Sequence, residues 1–206
     1  MSIRTDMAAE SFSQAGGAEK LHGVKVKNKV IENARLDVTD ITIETQEAAE
    51  KLGRPVGRYI TLTATDSTFD MYSDSFRERA EVIAKAIGEL CGGCERFLAV
   101  GLGNYALTSD AVGPLTAEKI FATRHIKSLA KEIDTDDLGE VTVIQPGVLG
   151  NTGIESSEQV KAIAERVTPQ AIIAVDALAC SELSNLGRTI QLCNTGISPG
   201  SRVENA

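Results

Sequence analysis

Phe97-Leu98-Ala99-Val100-Gly101-Leu102-Gly103-Asn104 is the stretch from which the fold can be read. Four apolar residues run into a glycine-lined turn, the pattern of a buried strand that stops at the rim of a sheet. The pattern recurs twice. Val141 to Ile144 leads into Pro146-Gly147-Val148-Leu149-Gly150, and Ala171 to Val175 stops at Asp176. Helix-like segments around Leu115 to Ala122 and Glu158 to Val167 come between, and a last strand reads from Thr189 to Leu192. Short apolar strands alternating with helices predict βαβ units, hence an α/β fold with a largely parallel sheet covered by helices.

Working outward toward the N-terminus, Phe76, Ala80, Ile83, Ile87 and Leu90 recur at the spacing of one helical face, and Gly92-Gly93 ends that helix. Lys25 to Ile31, Ile41 to Glu44 and Arg58 to Thr63 carry β-branched residues in rough alternation, predicting a short antiparallel N-terminal β segment. Between them Gln46 to Leu52 reads as a helix stopped by Gly53 and Pro55. Residues 1–23 are polar, contain Gly16-Gly17 and show no sustained period, so a flexible arm is expected there. Residues 24–206 are expected to form a single α/β domain.

The composition, 42% hydrophobic and 24% charged over 206 residues, is that of an ordinary globular chain. The longest apolar runs are far shorter than the roughly 20 residues of a membrane-spanning helix. No signal-peptide core follows Met1, and Asp6 and Glu10 argue against a transit sequence, so a cytoplasmic location is expected. Cys91, Cys94, Cys180 and Cys193 are too few and too scattered for a disulfide framework. A net charge of −8 argues against direct nucleic-acid binding and makes a basic protein the more natural partner.

Catalytic groups in open parallel sheets gather beyond the carboxyl ends of the strands. Asp176 follows one such strand, and Asp110 lies between the Gly101 to Asn104 turn and the helix expected after Pro114. Two carboxylates sharing a crevice can divide acid and base roles, because close like charges separate their pKa values. The spacing leaves a second reading open, in which Asp176 ties down a loop and Asp110 caps a helix.

Other chemistries find little support. Gly101-Leu102-Gly103 hints at a dinucleotide fingerprint, but position 106 is Ala106 and no acidic residue closes a strand about 20 residues on. Cys91-Gly92-Gly93-Cys94 has no second cysteine pair to complete a zinc site. His22 and His125 have no partner at ligand spacing, and G-x-S-x-G and H-E-x-x-H are absent. No metal site and no cofactor are expected.

Several stretches together resemble the bacterial germination protease, a family of atypical aspartic peptidases restricted to spore formers. They are Arg4-Thr5-Asp6-Met7-Ala8, Gly57-Arg58-Tyr59-Ile60-Thr61-Leu62, Val100-Gly101-Leu102-Gly103-Asn104 and Asp110-Ala111-Val112-Gly113-Pro114. Thr123-Arg124-His125, the run from Pro146 to Glu155, Ile173 to Ala179, Thr189-Ile190-Gln191 and Thr195 to Ser201 continue the likeness. The resemblance implies that Asp110 and Asp176 are the essential aspartates. It also implies a homotetrameric endopeptidase, without a metal, that degrades small acid-soluble spore proteins in the spore core at germination.

It further implies a zymogen that cuts itself between Asp6 and Met7, making residues 1–6 a propeptide. The family cuts its substrates after an acidic residue followed by an apolar one, the order found at Asp6-Met7. Ser109 stands where the family has proline, and the chain is expected to lack the family's C-terminal portion. Two other readings are a hydrogenase-maturation endopeptidase, whose Gly-x-Gly-Asn…Asp segment looks similar, and a noncatalytic spore protein of the same fold.

Overall fold

Three eight-residue strands between Val24 and Ala64 pair with one another, and their burial shows why they form a sheet. The computed structural model describes residues 5–14, 16, 22–129, 135 and 138–197. These fall into two compact units, one within Met1–Gly92 and Leu178–Gly196, the other within Gly93–Ala177 and Ile197–Ala206.

In the first unit, β1 (Val24–Ile31), β2 (Leu36–Ile43) and β3 (Gly57–Ala64) form an antiparallel meander. A fourth strand, β7 (Thr189–Cys193), pairs antiparallel with β3, setting Tyr59 opposite Cys193 and Thr63 opposite Thr189. The sheet order is β1-β2-β3-β7.

Alternate residues of these strands face opposite sides, and both sides are covered. Ile41, Ile43 and Tyr59 meet α1 (Ala8–Gln14) and α2 (Gln46–Leu52) through Ala8, Ala48, Ala49 and Leu52. Ile60 and Leu62 meet α3 (Phe76–Cys91) through Val82, Ile83, Ala86 and Leu90. A strand covered on both faces is buried along its length, and β3 has Tyr59, Ile60, Thr61 and Leu62 all buried.

The helix ends follow local chemistry. Thr45 caps α2 by accepting from the Ala48 N–H, and Gly53, at φ +61°, ends it. Arg79 of α3 is buried. Its guanidinium pairs with Asp66, donates to Ala34 O and Thr68 O at 3.1 Å, and lies over the Phe69 ring. A buried arginine needs this full set of partners, since an unpaired one would be strongly destabilising.

The second unit is the βαβ part. β4 (Arg96–Gly101) is central, with β5 (Glu140–Ile144) and β6 (Ala171–Val175) parallel to it on either side. Between the strands run α4 (Val112–Lys119), α5 (Arg124–Leu129), α6 (Leu149–Thr152) and α7 (Ser156–Val167). Leu98, Val100 and Leu102 pack against Ile144 and, from α7, Val160, Ile163 and Ala164. Thr123, just before α5, borders β5: it accepts from the Val141 N–H through its Oγ1 and donates its own N–H to Val141 O.

The fold is therefore α/β with one antiparallel and one parallel sheet, and three expectations change. The larger sheet is the antiparallel one, because Thr189–Cys193 joins β3 instead of extending the parallel sheet. A short apolar run shows that a strand exists but not which edge it pairs with. Residues 8–14 of the expected arm form α1, with Met7, Ala8 and Glu10 buried. The helix at the rim starts at Val112, before Pro114, which the first helical turn tolerates because its missing N–H has no intrahelical partner there.

Candidate active site

The parallel sheet of the second unit ends at a rim where β4 and β6 stop level with each other, Gly101 opposite Val175. The chain leaving β4 stays in contact with β6, since Leu102 N donates to Val175 O at 2.8 Å. Asp176 is the next residue after β6, and its Oδ1 accepts from the Ala177 N–H at 2.8 Å.

Asp110 reaches the same rim through a tight turn. Residues Thr108–Asp110 form one turn of 3₁₀ helix, closed by Asp110 N donating to Leu107 O. The Asp110 side chain folds back so that Oδ2 accepts from the Asn104 N–H at 2.8 Å, and Asp110 O accepts from the same N–H at 3.1 Å. Gly103, at φ +116°, permits this: a Cβ there would lie 2.1 Å from Asp110 O. Gly113 lets the first turn of α4 settle onto the strand ends, since a Cβ there would lie 2.1 Å from Leu102 O and 2.4 Å from Val175 O.

Asp110 thus does not cap α4. Ala111 occupies that position without a side-chain hydrogen bond, and the Asp110 carboxylate is turned toward the Gly103-Asn104 loop. An open cleft of about 230 Å³ adjoins that loop, lined by Asn104, Tyr105, Pro114, Gln145, Gly147 and Asn151 among others. The sequence had marked the Pro146 to Gly150 turn as part of the rim but not the amides flanking it, Gln145 and Asn151.

Asp6 and Met7 belong to the first unit. Asp6 N donates to Ala179 O at 2.9 Å, and Asp6 Oδ2 accepts from the Ala179 N–H at 3.2 Å. Gln191 spans the Asp6–Met7 bond: its Nε2 donates to Asp6 O at 3.3 Å and its Oε1 accepts from Ala8 N at 2.6 Å. Arg54 donates to Thr5 O at 2.6 Å. Met7 itself is only 3% exposed.

Glu10, absent from the residues the sequence singled out for a site, is a heavily engaged carboxylate of this unit. It accepts from Ser181 N at 2.9 Å, from Ser181 Oγ, and from Asn185 Nδ2 at 2.6 Å. Burial pushes its pKa upward, but the hydrogen bonds from Ser181, Thr5 and Asn185 outweigh burial and bring it from 4.5 down to about 2. Its sequence signal was weak, an acidic residue in the first turn of a helix that shows no periodicity.

Among the described residues no three His, Cys, Asp or Glu side chains are grouped to hold a metal ion, and no helix is long and apolar enough to cross a membrane.

Residues 3–206 match the germination protease family. The chain belongs to that family. It is 38% identical over 208 residues to the germination protease of Clostridium perfringens, covering 98% of this chain and 63% of the relative. It is 38% identical over 211 residues to that of Clostridium tetani, covering 100% and 64%. Against the germination protease of Priestia megaterium it is 35% identical over 218 residues, covering 99% and 57%. The chain therefore spans less than two thirds of the length of these relatives.

Proposed function

We propose that this chain carries the catalytic aspartates of a germination protease and that Asp110 and Asp176 act as one unit. One carboxylate takes a proton from a water molecule as its oxygen attacks the peptide carbonyl. The other, carrying a proton, hydrogen-bonds the carbonyl oxygen and stabilises the charge that develops there. Family membership supports the reaction class. The observation that carries the choice of residues is that both aspartates follow strand ends on one rim, in a family where these segments hold the essential pair.

The substrates are small acid-soluble spore proteins, cut after an acidic residue that precedes an apolar one. The cleft beside Asn104 and Gln145 accepts an extended segment of that substrate, with the protein working in the spore core as a homotetramer. The chain is made as a zymogen and releases residues 1–6 by cutting Asp6–Met7. The test is incubation with one purified small acid-soluble spore protein, with cut sites mapped by mass spectrometry. Asp110→Asn and Asp176→Asn should each abolish cleavage while the far-ultraviolet circular dichroism stays unchanged. A folded single variant that still cuts would remove that residue from the mechanism.

A further inference from the structure

We propose that the buried carboxylate of Glu10 is a receptor for the α-ammonium group created on Met7 when the chain is cut after Asp6. The cut itself rests on the self-processing reading above; the geometry rests on the first unit alone.

Met7 N donates to Thr5 Oγ1 at 3.0 Å, just ahead of the helix that carries Glu10. Glu10 follows Met7 by three residues, and Met7 O accepts from Ser11 N at 3.0 Å, so Met7 begins the first helical turn. At this spacing a glutamate side chain reaches back to the nitrogen of the residue that begins the turn, the reciprocal half of a capping box. Thr5 Oγ1 now holds that nitrogen in place of Glu10.

Hydrolysis breaks the bond between the Asp6 carbonyl carbon and Met7 N. Water supplies a hydroxyl to the carbon and a hydrogen to the nitrogen, and the new amine takes a proton from solvent. Thr5 departs with the released peptide. A positive charge then occupies the nitrogen that Thr5 had contacted, facing a carboxylate already fixed by Ser181 and Asn185. Those partners are neutral donors, whereas the ammonium brings a full positive charge to the carboxylate, adding ion-pair attraction to the hydrogen bond. Little side-chain freedom remains to be lost on pairing, because Glu10 is 6% exposed and held by three hydrogen bonds.

The consequence reaches beyond the N-terminus. Ser181 and Asn185 belong to the segment that follows Asp176 in the chain, so an ion pair at Glu10 ties the new terminus to that segment. Before the cut, Thr5 and Asp6 are held in place by Arg54, Ala179 and Gln191. Afterwards the Met7–Glu10 pair replaces those contacts.

The test uses a chain beginning at Met7, prepared by removing a fusion partner with an added protease, so that no self-processing is needed. The Met7 amine is titrated by NMR with ¹⁵N-methionine. Its ammonium is expected to be roughly tenfold weaker as an acid than an ordinary α-ammonium of pKa ~7.7–8.0, and Glu10→Gln should restore the ordinary value. A Met7 amine that titrates ordinarily with Glu10 intact overturns the proposal. Should Glu10→Gln fail to fold, the trimmed chain with Nα-acetylated Met7 replaces it. Its unfolding equilibrium constant should be about tenfold less favourable to the native state than that of the free-amine chain, and equality again overturns the proposal. Failure of self-processing shows separately, as an untrimmed full chain under conditions where the titration result stands.

Discussion

Gly103→Ala adds a methyl carbon that would sit 2.1 Å from the Asp110 carbonyl oxygen and 3.2 Å from Asp110 Cγ. Relieving the first contact to van der Waals distance moves the Asp110 turn by roughly 1 Å. The backbone at φ +116° is also unfavourable for alanine, at about 1–3 kcal/mol. A reacting group misplaced by about 1 Å costs on the order of 10²-fold in rate. Gly103→Ala should therefore lower kcat/KM on a purified small acid-soluble spore protein about 100-fold, through kcat more than KM, while remaining folded. Initial rates by quenched gel assay and urea unfolding measure the two effects. Gly53→Ala is the control: its φ of +61° is left-handed but no atom lies within 4 Å of the added Cβ. It should lose about 1–2 kcal/mol of stability and none of its activity. A folded Gly103→Ala variant with kcat/KM near that of the parent would refute the role given to this turn.

The double variant Asp110→Asn/Asp176→Asn should be scarcely slower than either single variant, as for groups that act together; multiplicative losses would show independent roles. Cleavage should survive exhaustive EDTA treatment, because carboxylates alone are asked to handle the proton; loss restored by one particular metal would overturn that. Mild acidification of the full chain should release residues 1–6, detected by mass spectrometry, and Asp176→Asn should prevent it; equal trimming in the variant would assign the cut to another protease. Glu10, brought from 4.5 to about 2 in the folded chain, contributes stability that is present above pH 4.5 and lost as pH falls toward 2. At roughly 1.4 kcal/mol per pH unit this amounts to about 3 kcal/mol, so the acid limb of unfolding followed by circular dichroism should be shallower in Glu10→Gln.

Periodicity located several elements in both units. Ala171–Val175 has the strand limits expected, and the strand from Phe97 and the helix from Phe76 lie within a residue of theirs, since apolar spacing and the glycines after it are local signals. Both rim aspartates were legible because strand ends in a parallel sheet are marked by the sequence that follows them. The pairing of Thr189–Cys193 with β3 was not legible, being a contact between residues more than 120 positions apart. Helix α1 was also missed. Seven residues cannot show a helical period, and this helix is held by Glu10, Ser181, Asn185 and Gln191 and not by its own propensity. Ser109, where the resemblance would have proline, lies in the 3₁₀ turn that presents Asp110.

The interruption of the first unit by the second has a consequence for the order of folding. The meander β1-β2-β3 closes through short connections and can form early. Its fourth strand arrives only after the 85 residues from Gly93 to Ala177 have been made, and closing so long a loop is entropically slow. The same late segment, Leu178–Gly196, supplies Ala179, Ser181, Asn185 and Gln191 to the N-terminal residues. Until it docks, the N-terminal helix has no anchor for Glu10 and the Asp6–Met7 bond has no clamp. The contacts that Ala179 and Gln191 make around the Asp6–Met7 bond therefore exist only once that segment has been made and has docked.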